Sequence, residues 1–319
     1  MSATDVAVRA DNRIAFADEL IALARTDERV VVVCNDSVGS SNLGAFRDAF
    51  PERLFNVGIA EQNMVGVGAG LAISGLIPFV CAAGPFLTGR ALEQIKADVA
   101  YSRTPVALCG MSPGLAYGEL GPPHHSVEDF SWIRALPGLD LIIPADAAQT
   151  RAALRLAVEE PRPAYLRIGR HKVPAVSPDG AALRRGRMVV AREGRDVTIV
   201  AAGTMVSEGL AAADLLAQRG IAARVLNAVY LSPFDRDAIV RAATDTRGIV
   251  TAEEANVSGG LGAAVASIVA ELPAAQRVPV SIAGLREFAP TGSTAYLIEH
   301  FGLDAVALAA RAVEVLERG

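Results

Sequence analysis

Aromatic side chains make up only 5% of the 319 residues, with a single Trp, and cysteine occurs three times. Cys34, Cys81 and Cys109 are an odd number, lie far apart in apolar runs and show no C-x-x-C spacing. They read as small buried hydrophobes in a reducing cytoplasm, not as a disulfide framework. Positive charge is not in surplus either: 30 Lys and Arg against 35 Asp and Glu leave a net charge of -5. That supplies no overall field for nucleic acid. No apolar run reaches the roughly 20 uninterrupted residues of a membrane span. The stretch Met1 to Asn12 lacks the basic-then-apolar layout of a secretion signal, so the expected location is the cytoplasm. The sequence also lacks G-x-x-x-x-G-K-[ST], which excludes a P-loop ATPase or kinase, and holds no short repeat or low-complexity tract.

What is present is an apolar fraction of 51% over a length that suits roughly two domains of about 150 residues each. A chain this long buries about three quarters of its unfolded surface and needs no disulfide or structural metal to supply a core. Short β-branched runs alternate with longer segments of helical period. The pattern predicts helix 14–24, strand 30–33, helix 62–73, strand 77–81, helix 91–101, strands 106–109 and 140–143, and helix 147–158. Parallel strands with crossover helices follow. Residues 172–187 (KVPAVSPDGAALRRGR) carry prolines, glycine and a basic cluster without sustained period, and read as a linker. The rhythm then restarts: strand 197–202, helix 206–218, strand 222–226, helix 235–242, strand 248–251 and helix 261–270. Helical segments at 294–302 and 305–316 close the chain, with Gly302 stopping one and Asp304 capping the next. The expected fold is α/β, two doubly wound domains at residues 1–175 and 191–319 joined by a linker at 176–190.

Chemistry has few candidate carriers. Gly66, Gly68 and Gly70 lie in an apolar helical stretch and read as close helix packing. Gly259, Gly260 and Gly262 follow a strand and open a helix, which suits either an anion site or a tight turn. Glu61, in NVGIAEQNMVG, sits between an apolar strand end and an apolar helix, where an unpartnered carboxylate is costly. It either caps the helix through its amides or shares a proton with a ligand. Asp36 ends the strand VVVVCND, a position that serves sites in open α/β sheets and turns alike. His124 and His125, in the rigid loop GELGPPHHSVED, have no familiar metal-ligand spacing around them. They suit acid–base work or hydrogen bonding to a substrate. His300 reads as an ordinary helix-end histidine.

In order along the chain come NVGIAEQNMVGVGAGLAISGLIPFV, FLTGRALEQIKADVAY, GPPHHSVED, YLRIGR, GGLG and GSTAYLIEHFGL. This series resembles transketolase over nearly the whole length: a thiamine-diphosphate pyrimidine-binding domain followed by the transketolase C-terminal domain. A full-length transketolase has a further N-terminal domain that holds the cofactor diphosphate through a metal ion, with a G-D-G and a later Asn. No G-D-G occurs here. The resemblance therefore implies one chain of a split enzyme. Its partner chain binds the diphosphate and Mg²⁺ or Ca²⁺, this chain binds no metal of its own, the assembly is α2β2, and an isolated subunit is inactive.

The same resemblance implies the site. Glu61 matches the carboxyl that shares a proton with the aminopyrimidine ring of thiamine diphosphate, and burial against Ile59, Met64 and a facing subunit is expected to disfavour its ionised form. Phe86 matches an aromatic that packs on that ring, with Ile59 beside it. His124 matches a histidine that hydrogen-bonds donor-sugar oxygens, and Arg170 an arginine that grips the sugar phosphate. Asp36 and Ser40 match positions near the substrate channel. Three departures stand out: Ala83 in place of a second phenylalanine, Leu120 in place of an Asp and Pro123 in place of a Thr. The implied reaction is transfer of a two-carbon ketol unit from a ketose or ketose phosphate to an aldose. Other readings are the beta subunit of a 2-oxoacid dehydrogenase, a deoxyxylulose-phosphate-synthase-like enzyme, and a non-catalytic regulatory subunit. The HHS loop and YLRIGR favour transketolase.

Overall fold

A computed structural model of the chain describes residues 9–177 and 183–318. The first eight residues and residues 178–182 of the expected linker lie outside the described residues. Val30–Cys34, Ile77–Ala83, Ala107–Met111 and Ala164–Ile168 are buried along their whole length, as parallel strands covered on both faces must be. They form the centre of a seven-stranded sheet. Its spatial order is Tyr230–Ser232, Asp140–Ile142, Ala164–Ile168, Ala107–Met111, Ile77–Ala83, Val30–Cys34 and Leu54–Asn56. All neighbours are parallel except Tyr230–Ser232, which pairs antiparallel with Asp140–Ile142. That edge strand comes from the second half of the chain, so the first sheet is finished by residues far away in sequence.

The second sheet orders Val280–Leu285, Ile249–Asn256, Val197–Ala201, Ala223–Asn227 and Val189–Arg192, parallel but for the last. Asp11, Asp146, Asp235 and Ser293 each cap the following helix through a side-chain oxygen. Of the three glycines in the helix Glu61–Ile73, Gly68 meets the packing expectation: a Cβ there would collide with Val80. Gly70 has open space, so it serves no such contact. Among the described residues no helix is long and apolar enough to cross a membrane.

Two expectations need correction. The segment 91–101 is not one α-helix. Helix begins earlier, at Gly84–Arg90 with Pro85 in its first turn, and after Leu92–Gln94 continues as a π-helix, Ile95–Tyr101. Proline fits the first turn because the missing N–H has no intrahelical partner there. The linker is also less free than its composition suggests. Lys172–Pro174 pairs antiparallel with Arg9–Asp11, the amides of Val176 and Ser177 donate to Asp146, and Arg185 makes two 2.7 Å hydrogen bonds to Asp140.

Candidate active site

Five parallel strands of the first sheet end on one side, where open α/β sheets bind ligands. Val30–Cys34 leads to Asn35 and Leu54–Asn56 to Ile59 and Glu61. Ile77–Ala83 leads to the helix of Phe86 and Arg90, Ala107–Met111 to the loop of Tyr117 and His124, and Ala164–Ile168 to Arg170.

Glu61 opens its helix and is 3% exposed. Ala60 before it offers no capping side chain. Oε1 accepts hydrogen bonds from Asn35 Nδ2 and Arg90 Nη1, each at 2.9 Å, and no side-chain donor among the described residues reaches Oε2. Burial pushes the carboxyl pKa up, but Asn35, the residue's own amide and Arg90 outweigh burial and hold it below its usual range. Burial was expected to favour the neutral form; within this chain the hydrogen bonds from Asn35, the residue's own amide and Arg90 together reverse that sign. Ile59 does not help to bury Glu61, being 77% exposed. With Glu61, Gln62, Asn63 and Arg90 it borders an open hollow of about 680 Å³.

Arg90 links Glu61 to the rest of the site. Its guanidinium lies 4.0 Å over the ring of half-buried Phe86. The Phe86 and His124 rings meet edge to face at 5.3 Å, His124 and Tyr117 at 6.2 Å, and Arg170 lies 5.2 Å over Tyr117. Six side chains therefore run in unbroken contact from Glu61 to Arg170. At the far end Tyr117, Leu120, Arg170, His171, Lys172 and Thr294 border a second hollow of about 490 Å³. His124 Nδ1 is buried without a hydrogen-bond partner, and burial of neighbouring His125 pushes its pKa down.

Other candidates fall elsewhere. Asp36 and Ser40 are exposed; the Ser40 hydroxyl donates to Ser37 O at 3.2 Å and its carbonyl accepts from Arg13 at 3.0 Å. Neither borders the two hollows; Phe86 and His124 do not border them either, and belong to the track only through their ring contacts. The glycine turn before Leu261–Glu271 is filled by the chain's own carboxyl: Glu253 accepts the amides of Leu261 at 2.6 Å and Gly262 at 2.9 Å. A Cβ on Gly260 would collide with that carboxylate. His300 stacks on Tyr296 in the last turn of its helix. Among the described residues no group of three or more His, Cys, Asp or Glu is placed to hold a metal ion. Asn35, Arg90 and Tyr117 do not stand out in the sequence. Arg90 follows Phe86 by four residues, a same-face spacing that becomes readable once the helix is started at Gly84.

Residues 9–176 match the family described as "Transketolase, pyrimidine binding domain" and residues 186–308 match "Transketolase, C-terminal domain". The chain belongs to the transketolase family. It is 41% identical over 308 residues to a subunit of the apulose-4-phosphate transketolase of Phocaeicola vulgatus, covering 96% of this chain and 97% of that one. It is 40% identical over 308 residues to SqwH, a subunit of the 6-deoxy-6-sulfo-D-fructose transketolase of Clostridium sp. (strain MSTE9), covering 96% and 94%. Among solved structures it is similar to a split-gene transketolase described as an inactive β4 tetramer, with a TM-score of 0.86 and 39% identity over 96% of this chain and 98% of that one. The transketolase of Leishmania mexicana shares the fold at a TM-score of 0.80 and 22% identity, and this chain spans 46% of it.

Proposed function

We propose that this chain is one subunit of a split, thiamine-diphosphate-dependent transketolase. With a partner chain it moves a two-carbon ketol unit from a ketose or ketose phosphate to an aldose. The observation that carries this is the unbroken track from a buried carboxylate, past an aromatic face and a histidine, to an arginine at the second hollow. The residues fit the aminopyrimidine half of the cofactor: Glu61 borders the first hollow with Oε2 not engaged by a side-chain donor among the described residues, Ile59 adds an apolar edge, and Phe86 stands behind Arg90. When bound, thiamine diphosphate supplies the acidic carbon whose carbanion chemistry the transfer needs.

Each residue then has a task. With the cofactor bound, Glu61 would hydrogen-bond the aminopyrimidine ring through the oxygen not engaged by Asn35 and Arg90, whose hydrogen bonds to Oε1 favour the charged carboxylate. His124, unpartnered at Nδ1, hydrogen-bonds donor oxygens, and Arg170 takes the donor's anionic end with a permanently charged fork. Asp36 and Ser40, in the exposed loop beside Asn35, are assigned to the channel mouth. Leu120, 55% exposed, and Pro123 replace hydroxyl-binding groups of the family with apolar ones. Two relatives are named for different anionic sugars, apulose 4-phosphate and 6-deoxy-6-sulfo-D-fructose. We place the domains at 1–175 and 191–319, assign the diphosphate and its Mg²⁺ or Ca²⁺ to the partner's N-terminal-type subunit, and take the assembly to be a cytoplasmic α2β2.

The test is reconstitution. Mixed with the cognate chain, the protein is expected to transfer two-carbon units from ketose donors, and alone it is expected to be inactive. In the complex, Glu61→Gln is expected to retain cofactor but lose at least a hundredfold in hydrogen–deuterium exchange at the thiazolium carbon. Unchanged exchange would sink the assignment.

A further inference from the structure

Asn35 follows the strand Val30–Cys34, is 5% exposed, and gives Glu61 one of the two side-chain donors on Oε1. Burial pushes the Glu61 pKa up, and the Asn35 hydrogen bond is the largest contact opposing it. A side-chain amide has two ends of nearly the same shape and opposite chemistry, so Asn35 helps a carboxylate only while its NH2 end faces it. Turned the other way, the amide oxygen would lie against Glu61 Oε1 and repel it.

The far end of the Asn35 amide faces Ser37, two residues on. Asn35 Oδ1 accepts the Ser37 backbone N–H at 3.3 Å and also the Ser37 hydroxyl. A backbone N–H only donates, so the atom opposite it is the oxygen, and the NH2 group is left for Glu61. That N–H is shared, because it also donates to the Asn35 carbonyl at 2.7 Å. The hydroxyl is then the side-chain donor that holds Oδ1, and by polarising the amide it makes the NH2 end a stronger donor to Glu61. Ser37 is half-buried, and the loop beyond it is tied to its carbonyl instead: the Ser41 amide donates there at 3.0 Å and the Ser40 hydroxyl at 3.2 Å.

Granting the reading of Glu61 in which it meets the cofactor ring, we propose that Ser37 is a positioning residue: its hydroxyl keeps the donor end of Asn35 turned to Glu61, so that Oε1 stays engaged within the chain and Oε2 stays available to the ring. Ser37 touches neither Glu61 nor the ring and acts through Asn35. The charged group paired with Glu61 is Arg90, from the helix Gly84–Arg90, and Asp36, next to Asn35 in sequence, is exposed. Removing an uncharged hydroxyl leaves that ion pair in place and weakens only the share of the amide.

Carboxyl ¹³C NMR of the full chain follows the Glu61 titration with neither cofactor nor partner present. Ser37→Ala is expected to raise its midpoint by about half a pH unit, a change of roughly threefold in the ionisation constant. The Ala variant keeps the carbonyl that Ser40 and Ser41 use, and Ser37→Thr, which keeps the hydroxyl, is expected to restore the parent midpoint. Asn35→Ala is expected to raise the midpoint further, and adding Ser37→Ala to it to change nothing more, because the hydroxyl then has no amide to act through. In the reconstituted complex, the acid limb of hydrogen–deuterium exchange at the thiazolium carbon is expected to move up in Ser37→Ala by the same amount as the midpoint. A midpoint that Ser37→Ala leaves unmoved, or an equal shift with and without Asn35, overturns the proposal. A complex that transfers no two-carbon unit from any donor refutes the functional reading instead, and the titration of the chain alone still decides the role of Ser37.

Discussion

Glu61 shows how neighbours change what a residue does. Its position at a strand-to-helix junction is visible in the sequence, and so is its burial, but the sign of its pKa shift depends on Asn35, the residue's own amide and Arg90, the two side chains lying 26 and 29 residues away. In the reconstituted enzyme, Arg90→Gln is expected to remove the cation that holds the Glu61 carboxyl below its usual range. The acid limb of the kcat/KM profile then moves to higher pH, because activity is lost as pH falls through the Glu61 pKa. A drop in kcat of about tenfold is expected alongside, since about 1.4 kcal/mol accompanies each tenfold change. An unmoved acid limb would show that Arg90 does not govern this carboxylate. His124 and Arg170 are legible from their motifs. Tyr117, which touches both, is not, because an aromatic in a glycine-rich loop reads equally well as packing.

At the scale of elements, buried parallel strands such as Val30–Cys34 and Ile77–Ala83 announce themselves through short apolar runs. The helix Gly84–Arg90 does not, because GPFLTGR has no apolar stripe of helical period. It packs through one fully buried leucine, Leu87, and through Gly84, which faces Ser126 with no room for a Cβ. Ala164–Ile168 does not read as a strand in the sequence although it lies inside the sheet; its Arg167 breaks the apolar run and is accommodated by Asp129, Glu254, the Ser126 carbonyl and the Phe130 ring. In the helix Glu61–Ile73, Gly68→Ala is expected to lower stability by about 1–3 kcal/mol, the usual cost of overpacking. Urea unfolding should register this, and Gly68→Ala combined with Val80→Ala is expected to recover part of the loss. Gly70→Ala, facing open space, is expected to cause no loss of that kind.

Across the whole molecule the two halves are joined by polar groups as much as by apolar ones. Tyr230–Ser232 completes the first sheet, the Gly292 amide donates to Gly118 O at 3.0 Å, and the Thr294 hydroxyl donates to Leu115 O at 3.1 Å. Arg134 of the first half donates to the carbonyls of Gly259 and Gly260, next to buried Glu253. Burial raises the Glu253 pKa from 4.5 to about 7, with the Gly262 and Leu261 amides opposing. The folded chain therefore holds a proton that the unfolded chain releases near its lower pKa. The associated stability is full below about pH 4.5, is lost as pH rises toward 7, and amounts to a change on the order of 3 kcal/mol. Glu253→Gln is expected to remove this dependence, so that the variant gains on the parent chain between pH 5.5 and 8 in urea midpoints. A constant difference across that range would contradict it.

The sequence by itself determined the class of fold, the order of the motifs and the identity of Glu61, Phe86, His124 and Arg170 as candidates. The fold class and Glu61 depend on local period and short runs of residue types, whereas Phe86 and Arg170 come only from the motif series that resembles transketolase. Only the tertiary structure decided that Asn35 and Arg90 hold the Glu61 carboxyl below its usual range, that Arg90 and Tyr117 bridge the candidates into one track, and that a helix N-terminus is filled by Glu253. Charges and ring contacts act over a few ångströms of space whatever the separation along the chain, and strands brought side by side set those distances.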